Sequence, residues 1–404
     1  MAWHDHAQLR NSSSRLDLWR LKRGAKGYPR QVAAGGLTAM DLELSDDQRM
    51  LQDSVQRLIA ERYDLDARRA AMREPRGWSP VMWSAITDLG LTMLPFSQEQ
   101  GGLGLGGVET MIVGEAFGRG LVVEPYLSSI VLAGNAIREC ATAAQAERWL
   151  PGILSGETIA AFADSGSILA RSEGEDWLLD GEARMVLGGY SADLLLILAG
   201  DDLFAVPPSV NGLTRRGYQL HGGGCAADLH LSRVRVAGSD RLAGKGRINR
   251  VLEAGIAWLA AEATGAMQAA LDLTVDYLKT REQFGKAIGT NQALQHRAAE
   301  MLVEVEQARS AAMYAALLAD ESDEHARAAG HAAVKAVIGK AGRFVAQNAV
   351  QLHGGIGVSE EHAISHYFRR LTAIGMILGD TESQLGRLAA LGGFTGAVPH
   401  FGAA

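Results

Sequence analysis

Apolar residues recur at helical spacing in the first and last thirds of this chain and at strand spacing between them. Met50, Leu51, Val55, Leu58 and Ile59 mark the buried face of a first helix. Ser45 with Gln48 three residues on reads as a capping box, so that helix is expected to start there and to reach about residue 61. Further helices are expected at about 79–88, 107–119, 124–138 and 143–154, which makes 40–155 an all-helical N-terminal domain. From about 157 the period shortens. Residues 177–182 read as a strand, an Asp180-Gly181 turn and a return strand; 194–198 is a short apolar strand. Leu229, Leu231, Val234 and Val236 alternate along 228–236, and a small middle β domain is expected over 156–245. Helical spacing then returns, with long helices expected at 248–281, 291–319 and 325–353 and shorter ones near 359–372 and 377–391. These predict an antiparallel helix bundle over 246–395. Helices, then strands, then helices make an α+β fold.

Composition narrows the function classes. The chain has 404 residues, 47% hydrophobic and 21% charged, enough for two or three domains. Its net charge of −7 argues against nucleic acid as a partner. Two cysteines, Cys140 and Cys225, exclude a disulfide framework and fit a cytoplasmic protein. No apolar run is long enough for a membrane span. Residues 1–39 stand apart, with seven basic residues against two acidic ones and the Ser12, Ser13, Ser14 run; they read as a disordered leader, and 396–404 as a tail.

Two strings carry candidate chemistry. The first places Arg281, Gln283, Phe284, Gly285, Ile288 and Gln292 where one helix breaks and the next begins, with Asn291 as its N-cap. A guanidinium offers a planar fork of donors suited to phosphate oxygens. The second places Gln351, His353, Gly354, Gly355 and Gly357 at a helix end, with more glycine than a cap needs, so that backbone can approach a ligand closely. Glycines 101, 102 and 104 mimic a dinucleotide fingerprint, but no strand feeds them. His362 and His366 have metal-ligand spacing without the acid or third ligand a zinc site needs, so no metal is expected. Asp41, Asp46 and Asp47 read as helix-start acids.

The first string resembles the R-x-x-F-G-x-x-I-x-x-x-Q signature of acyl-CoA dehydrogenases, and the second resembles that family's Q-x-x-G-G segment. Pro95, Gly101, Gly102 and Gly104 resemble its P-x-x-x-G-G-x-G turn. The likeness spans about 40–392. It implies FAD held by Arg281, Gln283, Phe284, Gln292, Gln351, His353, Gly354 and Gly355, with Thr381 and Glu382 nearby. It also implies an acyl-CoA substrate, an electron-transfer flavoprotein or similar acceptor, and a homo- or hetero-oligomer, dimer or tetramer, because the family grips the flavin pyrophosphate across a subunit interface. The implied reaction is α,β-desaturation of an acyl thioester.

Three departures qualify it. Gly379 stands where the family carries its base in Tyr-Glu-Gly-Thr, and the alternative base position falls on Gly255. Ile256 replaces a substrate-holding Arg. The flavin-side loop after residue 161 looks shortened. Asp380 and Glu262 are therefore the candidate bases, Asp380 ahead. The competing readings are a helix cap for Asp380 and a paired buried acid for Glu262. A non-catalytic or half-site subunit of a heteromeric dehydrogenase, and a flavin-dependent monooxygenase of the same fold, are the alternatives.

Overall fold

The computed structural model describes residues 43–393 apart from Ser165. The expected leader, the serines at 12–14, Asp41, Ser165 and the tail lie outside the described residues.

The first helix among the described residues is α1 (Asp46–Arg62), capped as expected: Ser45 Oγ accepts from the Gln48 N–H at 3.2 Å and Gln48 Oε1 from the Ser45 N–H at 2.9 Å. Helix α2 (Leu65–Arg73), capped by Asp64, was not legible in the apolar pattern because four of its nine residues are charged. Helices α3 (Pro80–Asp88) and α4 (Gly107–Gly120) follow. The single helix expected at 124–138 is instead a π-helix, Tyr126–Gly134, running into α5 (Asn135–Cys140); α6 (Ala143–Leu154) closes the region.

The strands form two four-stranded sheets. One has the order β1 (Ala160–Ala163), β4 (Leu194–Ala199), β5 (Asp202–Val206), β8 (Arg241–Leu242). The other has the order β2 (Leu169–Glu173), β3 (Asp176–Leu187), β7 (Cys225–Ala237), β6 (Leu213–Gln219). Their facing sides share one core, with Ala161, Leu195, Ile197 and Phe204 against Leu179, Leu229 and Val234. The other side of the first sheet, Phe162, Leu194, Leu196 and Leu203, joins the helical core. Burial on both faces is why β4 reads as an unbroken apolar run. One strand expectation is corrected. Asp180-Gly181 is not a turn: β3 runs straight through it, with a bulge where the register against β7 shifts between Leu179 and Gly181. Ala160–Ala163 pairs in parallel with β4.

Helix α7 (Ile248–Thr280) is the axis of the molecule. Trp258 stacks on Tyr126 at 4.6 Å and meets Phe117 edge-on at 5.7 Å. Gly118 and Gly265 let α4 and α7 touch backbone to backbone; a Cβ on either would lie 1.8 Å from a carbonyl oxygen of the other helix. A small ribbon, β9 (Glu282–Gln283) and β10 (Lys286–Ala287), joins α7 to α8 (Gln292–Leu317). Asn291 precedes α8, but its side chain makes no capping hydrogen bond. Helices α9 (Glu324–His353), α10 (Ala363–Met376) and α11 (Thr381–Ala390) complete the bundle. Among the described residues no helix is long and apolar enough to cross a membrane.

Candidate functional site: an outer strip and an inner crevice

The residues singled out by sequence separate into two groups. The outer group gathers where α7 and α9 end side by side. Tyr277, in the last turn of α7, stacks on His353 at 4.5 Å, which brings the Arg281 ribbon next to the glycines after α9. Phe284 and Gly285 form the ribbon's two-residue tip, both at positive φ, 53° and 78°. A phenylalanine in the left-handed region is strained. This one is also 100% exposed, so its ring is presented rather than packed. Arg281, Gln292 and Gln351 are exposed, and their side chains make no hydrogen bond or ion pair to another described residue. Gln283 reaches only the Glu282 carbonyl, at 2.9 Å. Gly354 and Gly355 have open space where a Cβ would stand. A guanidinium, carboxamides and bare backbone on one surface fit the phosphates and ring edges of a flavin nucleotide. His353 differs from its neighbours. It is buried, its Nδ1 lies 2.8 Å from the Ala349 carbonyl, its Nε2 has no partner, and burial pushes its pKa down.

The inner group lies elsewhere. Thr381 packs on Gly339, fifteen residues before Gly354 on α9, which is roughly 22 Å along the helix. Asp380, Thr381 and Glu382 therefore do not join Arg281 and Gly354 in one site of this chain. Asp380 caps α11: its Oδ1 accepts from the Ser383 N–H at 2.9 Å, and this bond with the Ser383 hydroxyl holds the carboxyl below its usual range. Glu382 is exposed. The turn ahead of Asp380 is clamped by Lys335, which is fully buried. Its ammonium donates to the carbonyls of Ile374, Gly375 and Gly379 at 3.0, 3.2 and 2.8 Å. Burial pushes Lys335 down to about 8, with Asp380 pulling the other way.

The two positions without an acid are shaped for that absence. Gly379 sits at φ +95°, and a Cβ there would lie 2.7 Å from Gln384 Nε2 and 3.0 Å from Ser383 Oγ. At Gly255 a Cβ would meet Leu378 Cδ1 at 2.6 Å and Leu132 Cδ2 at 2.8 Å. Leu378 itself has φ 56°. Glu262 is buried and engaged on both oxygens: Arg370 Nε donates to Oε1 at 2.6 Å and Trp258 Nε1 to Oε2 at 3.1 Å.

Next to this turn a crevice opens where the three regions meet. It is lined by the segment before and into the π-helix (Val122, Val123, Glu124, Ser128), by Leu187 and Cys225 of the strands, by Ser191 of the turn after β3, and by Arg370 and Ile377. Its volume is small, about 60 Å³. A larger void, about 290 Å³ on the same measure, lies apart from it, between α4, α5 and α7. Sequence reasoning missed Glu124. It is a buried carboxyl with Oε1 3.3 Å from the Ser79 N–H and Oε2 unpartnered, and burial pushes it up to about 7. The only sequence signal was an acid set between Val122, Val123 and the apolar run after it. His362 and His366 do not face a common ligand: His362 Nδ1 accepts from the Ile364 N–H at the start of α10, while His366 Nδ1 pairs with buried Arg68 at 3.0 Å.

The chain is 29% identical over 348 residues to acyl-CoA dehydrogenase IpdE2 of Mycolicibacterium smegmatis, covering 86% of this chain and 99% of that one. Its structure superposes on a chain of the ChsE4–ChsE5 complex from Mycobacterium tuberculosis with a TM-score of 0.81 at 25% identity, covering 89% and 100%. It superposes equally well on glutaryl-coenzyme A dehydrogenase in complex with glutaryl-CoA, with a TM-score of 0.81 at 25% identity, covering 87% and 97%. Residues 45–157 match the acyl-CoA dehydrogenase N-terminal domain and 243–391 the acyl-CoA dehydrogenase C-terminal domain, so the helices on both sides of the β region, the outer strip included, place the chain in the acyl-CoA dehydrogenase family of flavoproteins.

Proposed function

We propose that this protein is an FAD-dependent acyl-CoA dehydrogenase that desaturates an acyl thioester by α-proton removal and β-hydride transfer. The observation that carries the reading is the outer strip: Arg281, Gln292 and Gln351 stand without partners around two bare glycines and a strained, exposed Phe284. Exposed groups of this kind are free to engage a ligand in place of solvent, and a nucleotide supplies the matching acceptors. The strip and the Asp380 turn lie about 22 Å apart along α9, so one strip would serve the flavin of a second dehydrogenase-like chain. When bound, the flavin supplies the hydride acceptor; this chain supplies the grip, the crevice and the proton acceptor.

For the proton acceptor we rank Asp380 over Glu262. Glu262 is held on both oxygens, whereas Asp380 uses one oxygen for the cap and leaves Oδ2 free of described partners. Its low pKa keeps it ionised at neutral pH, ready to accept a proton, though as a weak base. A second reading is favoured by the rebuilt turn. Gly379 and Gly255 cannot take a glutamate without moving Gln384, Leu378 or Leu132, which suits a half-site subunit whose partner brings the base. That IpdE2 is named an acyl-CoA dehydrogenase and that ChsE4–ChsE5 is a complex of two named chains supports both readings. Anaerobic titration of the yellow protein with a thioester panel tests them. Bleaching by the chain alone supports the first, and bleaching only with a co-expressed dehydrogenase chain supports the second. Bleaching in neither case rules out both.

A further inference from the structure

We propose that Lys335 is a positioning residue for the reaction proposed above: its ammonium fixes the turn that carries Asp380, and its charge favours the ionised Asp380 carboxylate. The inference rests on the acyl-CoA reading with Asp380 as proton acceptor, and deepens it.

Lys335 lies within α9 and is fully buried, and Asp380 is the charged group that acts on it. Burying an ammonium costs stability unless its donors are satisfied. Here they reach three carbonyls from two segments, which uses all three N–H groups of the charged form. Ile374 and Gly375 lie in the last turn of α10, where helix carbonyls have no partner within the helix. Gly379 precedes Asp380, the cap of α11. One side chain therefore ties the end of one helix to the start of the next. The turn between them is held from further sides. Leu378 has φ 56° and Gly379 φ 95°, and a left-handed leucine persists only where its surroundings over-determine it. Gln384 Nε2 donates to the Leu378 carbonyl at 2.7 Å. Gly339, one turn along α9 from Lys335, lets Thr381 lie against the helix: a Cβ there would be 2.3 Å from Thr381 Oγ1. Ile377 of the same turn stands on the crevice wall.

Position and charge act together. The Ser383 N–H and hydroxyl are the main reason the Asp380 carboxyl lies below its usual range, and Lys335 adds to their effect. The other neighbours bring no competing charge. Ser383 belongs to α11 itself, and α10 meets Lys335 through carbonyls. His331, one turn earlier on α9, is lowered to about 4 by burial and is neutral at working pH. Lys335 is thus the charged side chain that favours the form of Asp380 able to accept a proton.

The test follows flavin reduction by a bleaching thioester from about pH 5 to about pH 9, with amide hydrogen exchange over 377–384 measured in parallel. Lys335→Gln removes the charge and keeps an N–H donor, whereas Gln384→Met loosens the same turn without changing charge. Lys335→Gln is expected to slow flavin reduction about a hundredfold with the thioester KM little changed, because the turn moves and the binding surface does not. Its rate should also rise at higher pH than in the wild type, since Asp380 loses the charge that favours its ionised form. Exchange should quicken in both variants, but only Lys335→Gln should move that limb, and Lys335→Arg, which keeps the charge, should return it. A wild-type rate at every pH in Lys335→Gln overturns the proposal. So does a rate loss that Gln384→Met reproduces with the limb unmoved in both, which would make Lys335 structural only. If Lys335→Gln does not fold, a displaced limb in Lys335→Arg overturns it. If the wild type reduces no flavin with any thioester, the dehydrogenase reading falls and exchange decides: a faster turn in Lys335→Gln leaves Lys335 as the residue that fixes it, and an unchanged one removes that role as well.

Discussion

The outer strip and the inner crevice belong to one family plan but are built by opposite rules. On the strip every functional group but His353 is exposed and most are free, and the geometry comes from a two-residue turn and two helix ends. Around the crevice the buried charged groups are bound to several others: Lys335 to three carbonyls, Glu262 to Arg370 and Trp258, Arg68 to Leu121, Gly222 and His366. Groups of the first kind contribute to binding and little to stability. Groups of the second kind hold the fold, and changing one leaves the others unpaired. The strip could therefore keep its family residues while the crevice was rewired around Gly255 and Gly379.

The contrast can be broken in order of effect. Lys335→Met should cost about 4 kcal/mol of stability, because three buried or partly buried carbonyls lose their donor. A thermal melt close to wild type would show that the ammonium is not the clamp. Glu124 should tie stability to pH. Its folded carboxyl is raised to about 7 from an unfolded value near 4.5, so its neutral form contributes stability that is fully present below about 4.5 and lost as pH rises through about 7, an effect of about 3 kcal/mol. His331 works in the opposite sense. Burial lowers it to about 4, so its contribution is present above about 6.5 and lost as pH falls through about 4. The difference between wild type and Glu124→Gln in denaturant melts from pH 4 to 8 isolates the Glu124 slope, and parallel curves would refute it.

Asp380→Asn should lower turnover by two orders of magnitude or more, about 3 kcal/mol in the barrier, with the fold retained because Asn caps a helix as well as Asp does. Unaltered turnover would leave Asp380 as a cap alone and send the search to Glu262→Gln or to a partner chain. On the strip, Arg281→Ala should weaken flavin binding about tenfold to a hundredfold with no change in melting once flavin is removed. Phe284→Ala should be smallest for the isolated chain, within about 0.5 kcal/mol, since the ring touches nothing in it. Any larger effect should appear in the oligomeric state.

The same contrast explains what could be read beforehand. The strip was legible because its residues act through type and spacing: an Arg, an aromatic-glycine turn and a carboxamide keep their meaning wherever the helices end. The long helices and the apolar β4 were legible for the same reason. The crevice was not, because Glu124 matters through burial and an unpaired oxygen, which depend on segments from residues 63 to 377 meeting in space. Asp380 and Glu262 could be named as acids, but whether they face a cap, an Arg or a substrate is set by tertiary contacts. The Asp180-Gly181 pair misled because a bulge in a long strand uses the same residues as a hairpin turn.

The most direct test of the central claim is the flavin-to-chain ratio of the purified protein, measured from its absorption spectrum alone and after co-expression with a dehydrogenase-like partner. Bound FAD in at least one preparation, reduced by Arg281→Ala, is the expected result. A colourless protein in both, or flavin content indifferent to Arg281, would contradict the account.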